Sequence, residues 1–305
     1  MKFRWTSVAW SIAYLLLLLS LSTPLLLITT LFMIIPAIVL YTTLSTKQFI
    51  LHLVPVLLIV GLITPFYIVI AAYFLIPALV MGHRYKKRAS AMSTLTAGMV
   101  AVLAEFLLIL LVSTAFLKFN LYDYVYDVLQ TYTDWLASMG ASNPLLSEIT
   151  ISSDQIGQMS WLTIQAIPMT LILSAFIIAV ITHSIVRPIL NSMDYAVPKL
   201  KPAREWRLGR AFIWYYLIGA LITMLFGGAD SGFMLMVSAN LLPLLQIAFK
   251  IQTIGFLFFL VYERKWSKIV ALLLSIPVIV LPGFWIIGVV DLAFPLRELV
   301  KKSKR

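Results

Sequence analysis

Apolar runs of about twenty residues recur along the whole chain with short loops between them, and a helix needs roughly that length to cross about 30 Å of hydrocarbon. This repetition predicts an all-α fold: a polytopic membrane helical bundle of about 8–10 membrane segments, several of them short or proline-broken. Residues 7–21 and 25–43 read as a hairpin turning at Ser22, Thr23 and Pro24. A short run, 49–62, carries His52, Pro55 and Gly61, and 65–81 then leads into HRYKKR. Residues 92–116, 161–185 and 212–226 follow. The run 233–262 would measure about 45 Å as one helix at 1.5 Å per residue, so it is tilted, broken or extended beyond the bilayer, with Lys250 the plausible break. The last run, 269–294, contains Pro277, Pro282 and Gly283 and folds back near Leu281. The start, MKFRW, imitates a signal peptide, but further apolar spans follow it, so a retained first helix is expected.

Charge sets the orientation. A net charge of +11 in a soluble chain would suggest nucleic acid, but here the basic residues fall in short loops, as the positive-inside rule requires. No nucleic-acid partner is expected. With ten segments, all 23 basic residues except Lys118 and Lys250 lie on the cytoplasmic side; nine segments would put the tail KKSKR outside. The protein is therefore expected in the cytoplasmic (inner) membrane, multi-pass, with its N-terminus inside. Residues 118–160 hold Asp123, Asp127, Asp134, Glu148 and Asp154 and read as an outside loop. Within it, YDYVYDVLQTYTDWLASMG has apolar residues at helical spacing, which predicts an amphipathic helix on the outer surface. It lacks the alternating carboxylates and glycine of an EF-hand.

The stretch 191–216 forms the strongest interruption. Lys199, Lys201, Arg204, Arg207 and Arg210 crowd between Pro198, Pro202 and the aromatic cluster Trp214, Tyr215 and Tyr216. Proline blocks a continuous helix, and Trp206 with that cluster suits the headgroup level. This basic cytoplasmic elbow, 188–211, is expected to hold anionic lipid headgroups through Lys199, Lys201, Arg204 and Arg207, or to be an ordinary positive loop. The chain as a whole divides into N-terminal membrane helices 1–117, the outside loop 118–160 and C-terminal membrane helices 161–305, which contain the elbow.

Charge at bilayer depth is costly, about 2.5–3.5 kcal/mol on insertion scales, so each instance merits a reading. Two readings stand side by side: Glu105 and Lys250 meet inside the bundle, with Asn240, Gln246 and Gln252 lining the same polar interior as a ligand site, or Lys250 snorkels to the cytoplasmic side and Glu105 is protonated. Asp291 reads as an interfacial ion pair with Arg297 or another basic residue. His52 and His183 read as hydrogen-bonded structural histidines. The chain has no cysteine and no histidine spacing for zinc, so no metal or other cofactor is expected. Nucleophile arrangements and glycine-rich phosphate loops are missing from the sequence, and GGADSG lacks the lysine of a P-loop; the expectation is a protein that is not an enzyme.

PAREWRLGRAFIWYY at the elbow resembles the YybS family of multipass bacterial membrane proteins, which typically reads R-E-W-R-L-P where this chain has Gly209. ALVMGHRYKKRAS, KIQTIGFLFF after Asn240, and IIGVVDLAFPLREL extend the likeness over most of the chain. Thr253 departs from the glycine that the family usually has after Gln. That family is in turn distantly similar to the substrate-binding S components of energy-coupling-factor transporters. The resemblance implies binding or uptake of a small polar molecule, with coupling and ATPase subunits as separate partners. Ala9 and Ala13, a small-xxx-small pair on the first helix, would form the partner interface, or else serve ordinary packing within the bundle. The alternative is a non-enzymatic scaffold for envelope or signalling proteins, held to anionic membrane lipids by the elbow and tail.

Overall fold

The computed structural model describes residues 5–140, 151–226 and 232–302, and among these the chain is helical with no strand. The helices are α1 (Trp5–Leu19), α2 (Leu26–Phe32), α3 (Ile34–Thr43), α4 (Thr46–Ile63), α5 (Phe66–Lys86), α6 (Ala91–Phe116), α7 (Leu121–Gly140), α8 (Ser153–Gln165), α9 (Ile167–Ser192), α10 (Ala211–Phe226), α11 (Gly232–Glu263), α12 (Lys268–Val280), α13 (Trp285–Ala293) and α14 (Leu296–Lys302). Six of the described segments are long and apolar enough to cross a membrane: Trp5–Ser22, Thr46–Ile63, Phe66–Lys86, Ala91–Phe116, Ile167–Ser192 and Gly232–Glu263. Two shorter apolar helices, Ile28–Thr43 and Ala211–Leu225, and the bent pair α12 and α13 accompany them. This is an all-α polytopic membrane fold. It consists of two compact units, Met1–Phe119 with Leu171–Leu200, and Asn120–Thr170 with Lys201–Arg305. The first break lies close to the expected 117/118 boundary, but residues 171–200 group with the N-terminal helices.

In the first unit α3 is the centre: Ile34 through Leu40 and Thr42 are all buried, with α1 and α5 packed against it. The run 25–43 is interrupted only locally: Pro36 has no N–H to offer the Phe32 carbonyl, and Met33, between α2 and α3, keeps helical dihedrals and its bond to Thr29 O at 2.9 Å. A capping box, Ser45 with Gln48, starts α4. On α6 the stripe Ala91, Thr94, Leu95, Gly98, Val102 and Glu105 is buried, and Gly98 meets α5 closely, since a Cβ there would lie 2.6 Å from Met81 Sδ. The opposite face, with Leu107, Leu108 and Leu111 more than half exposed, is the composition that lipid requires. Both expected structural histidines have partners: His52 Nδ1 lies 3.1 Å from Ser11 Oγ, and His183 Nδ1 lies 2.8 Å from Tyr85 Oη on a stacked ring.

In the second unit α7 covers the expected amphipathic segment. Tyr124, Val128, Tyr132, Trp135 and Met139 recur every three or four residues as one exposed apolar stripe, beside Asp123, Asp127 and Asp134. Glu148 of the same acidic loop lies outside the described residues, as do most of the GGADSG turn and the last residues of the tail. The run 161–185 is interrupted at Ala166, where α8 ends and α9 begins. Pro168 is the reason, by the same loss of donor as Pro36. By contrast, α11 runs 32 residues, about 48 Å, straight through Lys250, where a break was expected. The lysine leaves the helix intact because its long stem reaches sideways, placing Nζ 2.9 Å from Ile279 O. The chain does turn at Leu281: α12 and α13 are bent by 110°, around Gly283 at φ +87°, a conformation that costs a side chain but not glycine.

Candidate basic elbow and its buried clasp

A polar node inside the second unit fixes the elbow from beneath. α13 places Asp291 at 0% exposure, and α14 begins two residues after Phe294, which returns Arg297 onto the same carboxylate. Arg297 Nη2 donates to Asp291 Oδ2 at 2.9 Å, and Nε reaches Oδ1 and Oδ2 at 3.2 and 3.1 Å. A buried carboxylate facing a guanidinium in this fork is the geometry that best offsets desolvation of both groups. The remaining N–H groups of Arg297 turn to the elbow: Nη1 donates to Arg204 O at 3.0 Å and Nη2 to Trp206 O at 2.9 Å. Gln252, buried on α11, completes the node. Its Nε2 donates to Asp291 Oδ2, and its Oε1 accepts from Leu208 N at 2.8 Å.

Three elbow backbone groups, Arg204 O, Trp206 O and Leu208 N, are thus satisfied by buried side chains. Such groups cost about 1–3 kcal/mol each when buried and unmatched, so the node sets the path of an otherwise irregular segment. Gly255 allows the approach: a Cβ there would lie 3.2 Å from both Ala203 O and Trp206 O. Gly288 does the same between α13 and α11, where a Cβ would run into Phe249 O and stand 2.9 Å from Thr253 Oγ1. Thr253, the departure from the family's glycine, is fully buried and bonds Phe249 O at 2.9 Å and Phe284 O at 3.1 Å, so its hydroxyl is accommodated. Beneath these lies an apolar cluster of Leu245, Phe249 and Leu292, with Trp285 and Tyr216 packed on it.

The clasp takes hold of backbone and leaves cations outside. Lys199, Lys201, Arg207 and Arg210 are exposed, while Arg204 is half-buried with its guanidinium 3.8 Å from the centroid of Tyr262. The sequence pairing of Asp291 with Arg297 is present as an ion pair; Gln252, expected to line a ligand site, is committed to the clasp. Asn240 is likewise occupied. Its Oδ1 accepts from Met169 N at 2.8 Å and its Nδ2 donates to Gln165 O and Met236 O at 2.6 Å, which bridges the helix break at Pro168. No sequence signal joined Asn240 to that break, because 71 residues separate it from Met169.

The other expected site residues fall in both units. Gln246 and Lys250 are half-buried on α11 of the second unit, with Lys250 bonded to Ile279 O. Glu105 belongs to the first unit, 3% exposed on the face of α6 that meets α5, and its Oε1 has no hydrogen-bond partner among the described residues. On α1 the buried positions are Ser7, Ser11, Tyr14 and Leu18; Ala9 is exposed and Ala13 half-buried, so this pair is not the helix's packing face within its unit. Among the described residues no group of three or more His, Cys, Asp or Glu could hold a metal ion.

A family model described as "Predicted membrane protein (DUF2232)" matches residues 11–293. The curated relative "Uncharacterized protein YybS" of Bacillus subtilis (strain 168) is 24% identical over 230 residues, 72% of this chain and 72% of the relative. No solved structure matches.

Proposed function

The chain belongs to the DUF2232 family of predicted membrane proteins, and on that premise we propose that it is a non-enzymatic membrane platform whose basic elbow holds anionic lipid headgroups beneath a partner protein. The observation that carries this reading is the division of labour at residues 201–210: backbone fastened inward by Arg297 and Gln252, cationic side chains directed outward. A pre-set path spares the elbow part of the ordering cost that a free loop meets on binding. In this reading the elbow and both termini face the cytoplasm, and α7 with α8 faces outward, as the distribution of Lys and Arg favours.

Each basic residue near an anionic surface contributes about 1 kcal/mol, so the triple change Lys201→Gln, Arg207→Gln, Arg210→Gln should lower retention of phosphatidylglycerol on the order of a hundredfold at low salt. Arg204 is left in place because it also packs on Tyr262. Native mass spectrometry of the full chain released from mixed micelles reads the effect; equal retention by the triple variant would remove the lipid-holding role. Orientation has its own measurement, since the chain contains no cysteine. In intact cells an impermeant maleimide should label a cysteine at Ser138 and spare one at Lys201, and the reverse pattern would invert the topology.

One observation favours a second reading, in which the protein binds a small polar molecule in the manner of a transporter S component and passes it to separate coupling subunits. It is a groove between α7 and α8, walled by aromatic side chains.

A further inference from the structure

We infer that the groove between α7 and α8 is a binding site for an organic ammonium group. The inference rests on the second, small-molecule reading above and gives it a ligand class. From α8 the groove takes Asp154, Gly157, Gln158 and Trp161, which share one helical face at spacings of three and four. From α7 it takes Tyr122 and Tyr126, one turn apart, their rings stacked with centroids 6.2 Å apart. Gly157 brings the two helices together: a Cβ there would lie 3.3 Å from Tyr122 Oη. The groove is shallow and widely open, with about 850 Å³ of space over its floor, room for more than the ammonium head itself.

The chemistry of the walls selects the charge. Three electron-rich aromatic side chains, Tyr122, Tyr126 and Trp161, line the groove, and aromatic rings attract cations most strongly when the cation is poorly hydrated, as a substituted ammonium is. Asp154 adds a carboxylate at one end and Gln158 an amide. The surroundings reinforce the sign: the two helices that form the groove contain four acidic residues, Asp123, Asp127, Asp134 and Asp154, and no Lys, Arg or His. An anionic ligand would meet no basic side chain on either helix. A neutral sugar would find the aromatic platform but would gain nothing from the net charge.

The experiment uses the full chain in dodecyl maltoside, with choline as probe and its uncharged isostere 3,3-dimethylbutan-1-ol as control, followed by titration calorimetry. Choline should bind saturably and the isostere at least tenfold more weakly. Trp161→Leu and Tyr126→Leu should each weaken choline at least tenfold, Asp154→Asn at least fivefold, and Trp135→Leu, an exposed aromatic change outside the groove, should leave it unchanged. Co-micelles containing phosphatidylethanolamine separate the two sources of the group: competition with choline assigns a lipid headgroup, and its failure to compete assigns a free cation, both within the ammonium class. Equal binding of choline and its isostere would overturn the ammonium class while keeping the groove as a small-molecule site. Absence of binding by both, or choline binding unaffected by Trp161→Leu and Asp154→Asn, would overturn the groove itself.

Discussion

Replacing Arg297 with alanine should destabilise the protein by about 3–5 kcal/mol, because Asp291, at 0% exposure, would keep a carboxylate with its cationic partner removed. The same change strips Arg204 O and Trp206 O of their donors, so the elbow should open to trypsin at Lys201, Arg204 and Arg207. Adding Asp291→Asn to the alanine variant should recover a large part of the loss, since the neutral amide no longer needs a counter-charge. Unfolding in mixed micelles measures the first effect and limited proteolysis the second. A loss below about 1 kcal/mol in Arg297→Ala, the range of exposed ion pairs, would mean that the pair is not the buried clasp described above.

The second large effect is expected at Gly288. Alanine there drives a methyl group into Phe249 O, a backbone atom of the longest helix, and close to Thr253 Oγ1, so α11 and α13 must separate. Overpacking of this kind typically costs about 1–3 kcal/mol, and a backbone obstacle places Gly288→Ala at the upper end. Gly98→Ala makes the contrast. Its new methyl would meet Met81 Sδ at 2.6 Å and Cγ at 2.8 Å, atoms of an unbranched side chain and not of the backbone, so a smaller loss of about 1 kcal/mol is expected. Comparable losses at both positions, read as melting shifts of the two purified variants, would show that side-chain and backbone obstacles are equivalent here, contrary to the argument.

Local signals in the sequence account for much of this fold. Helix α7 follows from the three- and four-residue recurrence of its apolar side chains, the bend at Leu281 from adjacent proline and glycine, and the Asp291 and Arg297 pair from opposite charges six residues apart. What stayed hidden were long-range partnerships. Asn240 and Gln252 look alike in sequence, two amides in an apolar run, and each acquires its role only when a distant backbone group is delivered to it: Met169 N in one case, Leu208 N in the other. Pro168 was visible, but hydropathy averages over it, so 161–185 passed as one span although its backbone is interrupted at Ala166. Lys250 misled in the opposite sense. Its charge suggested a broken helix, yet a four-carbon stem can carry an ammonium to a carbonyl without disturbing the helix that bears it.

The clasp also has a place in time. Arg297 lies 93 residues after Arg204, so every lysine and arginine of the elbow is synthesised well before the side chain that fastens it. Domains form from the N-terminal side during translation at about 5–20 residues per second, which leaves the elbow unfastened for seconds while α10 to α13 emerge. In the orientation proposed above, its positive charges act during that interval as the topological signal that holds the loop on the cytoplasmic side. Only when α14 folds back does the segment exchange that steering role for a fixed shape, so the order of residues along the chain makes insertion precede fastening.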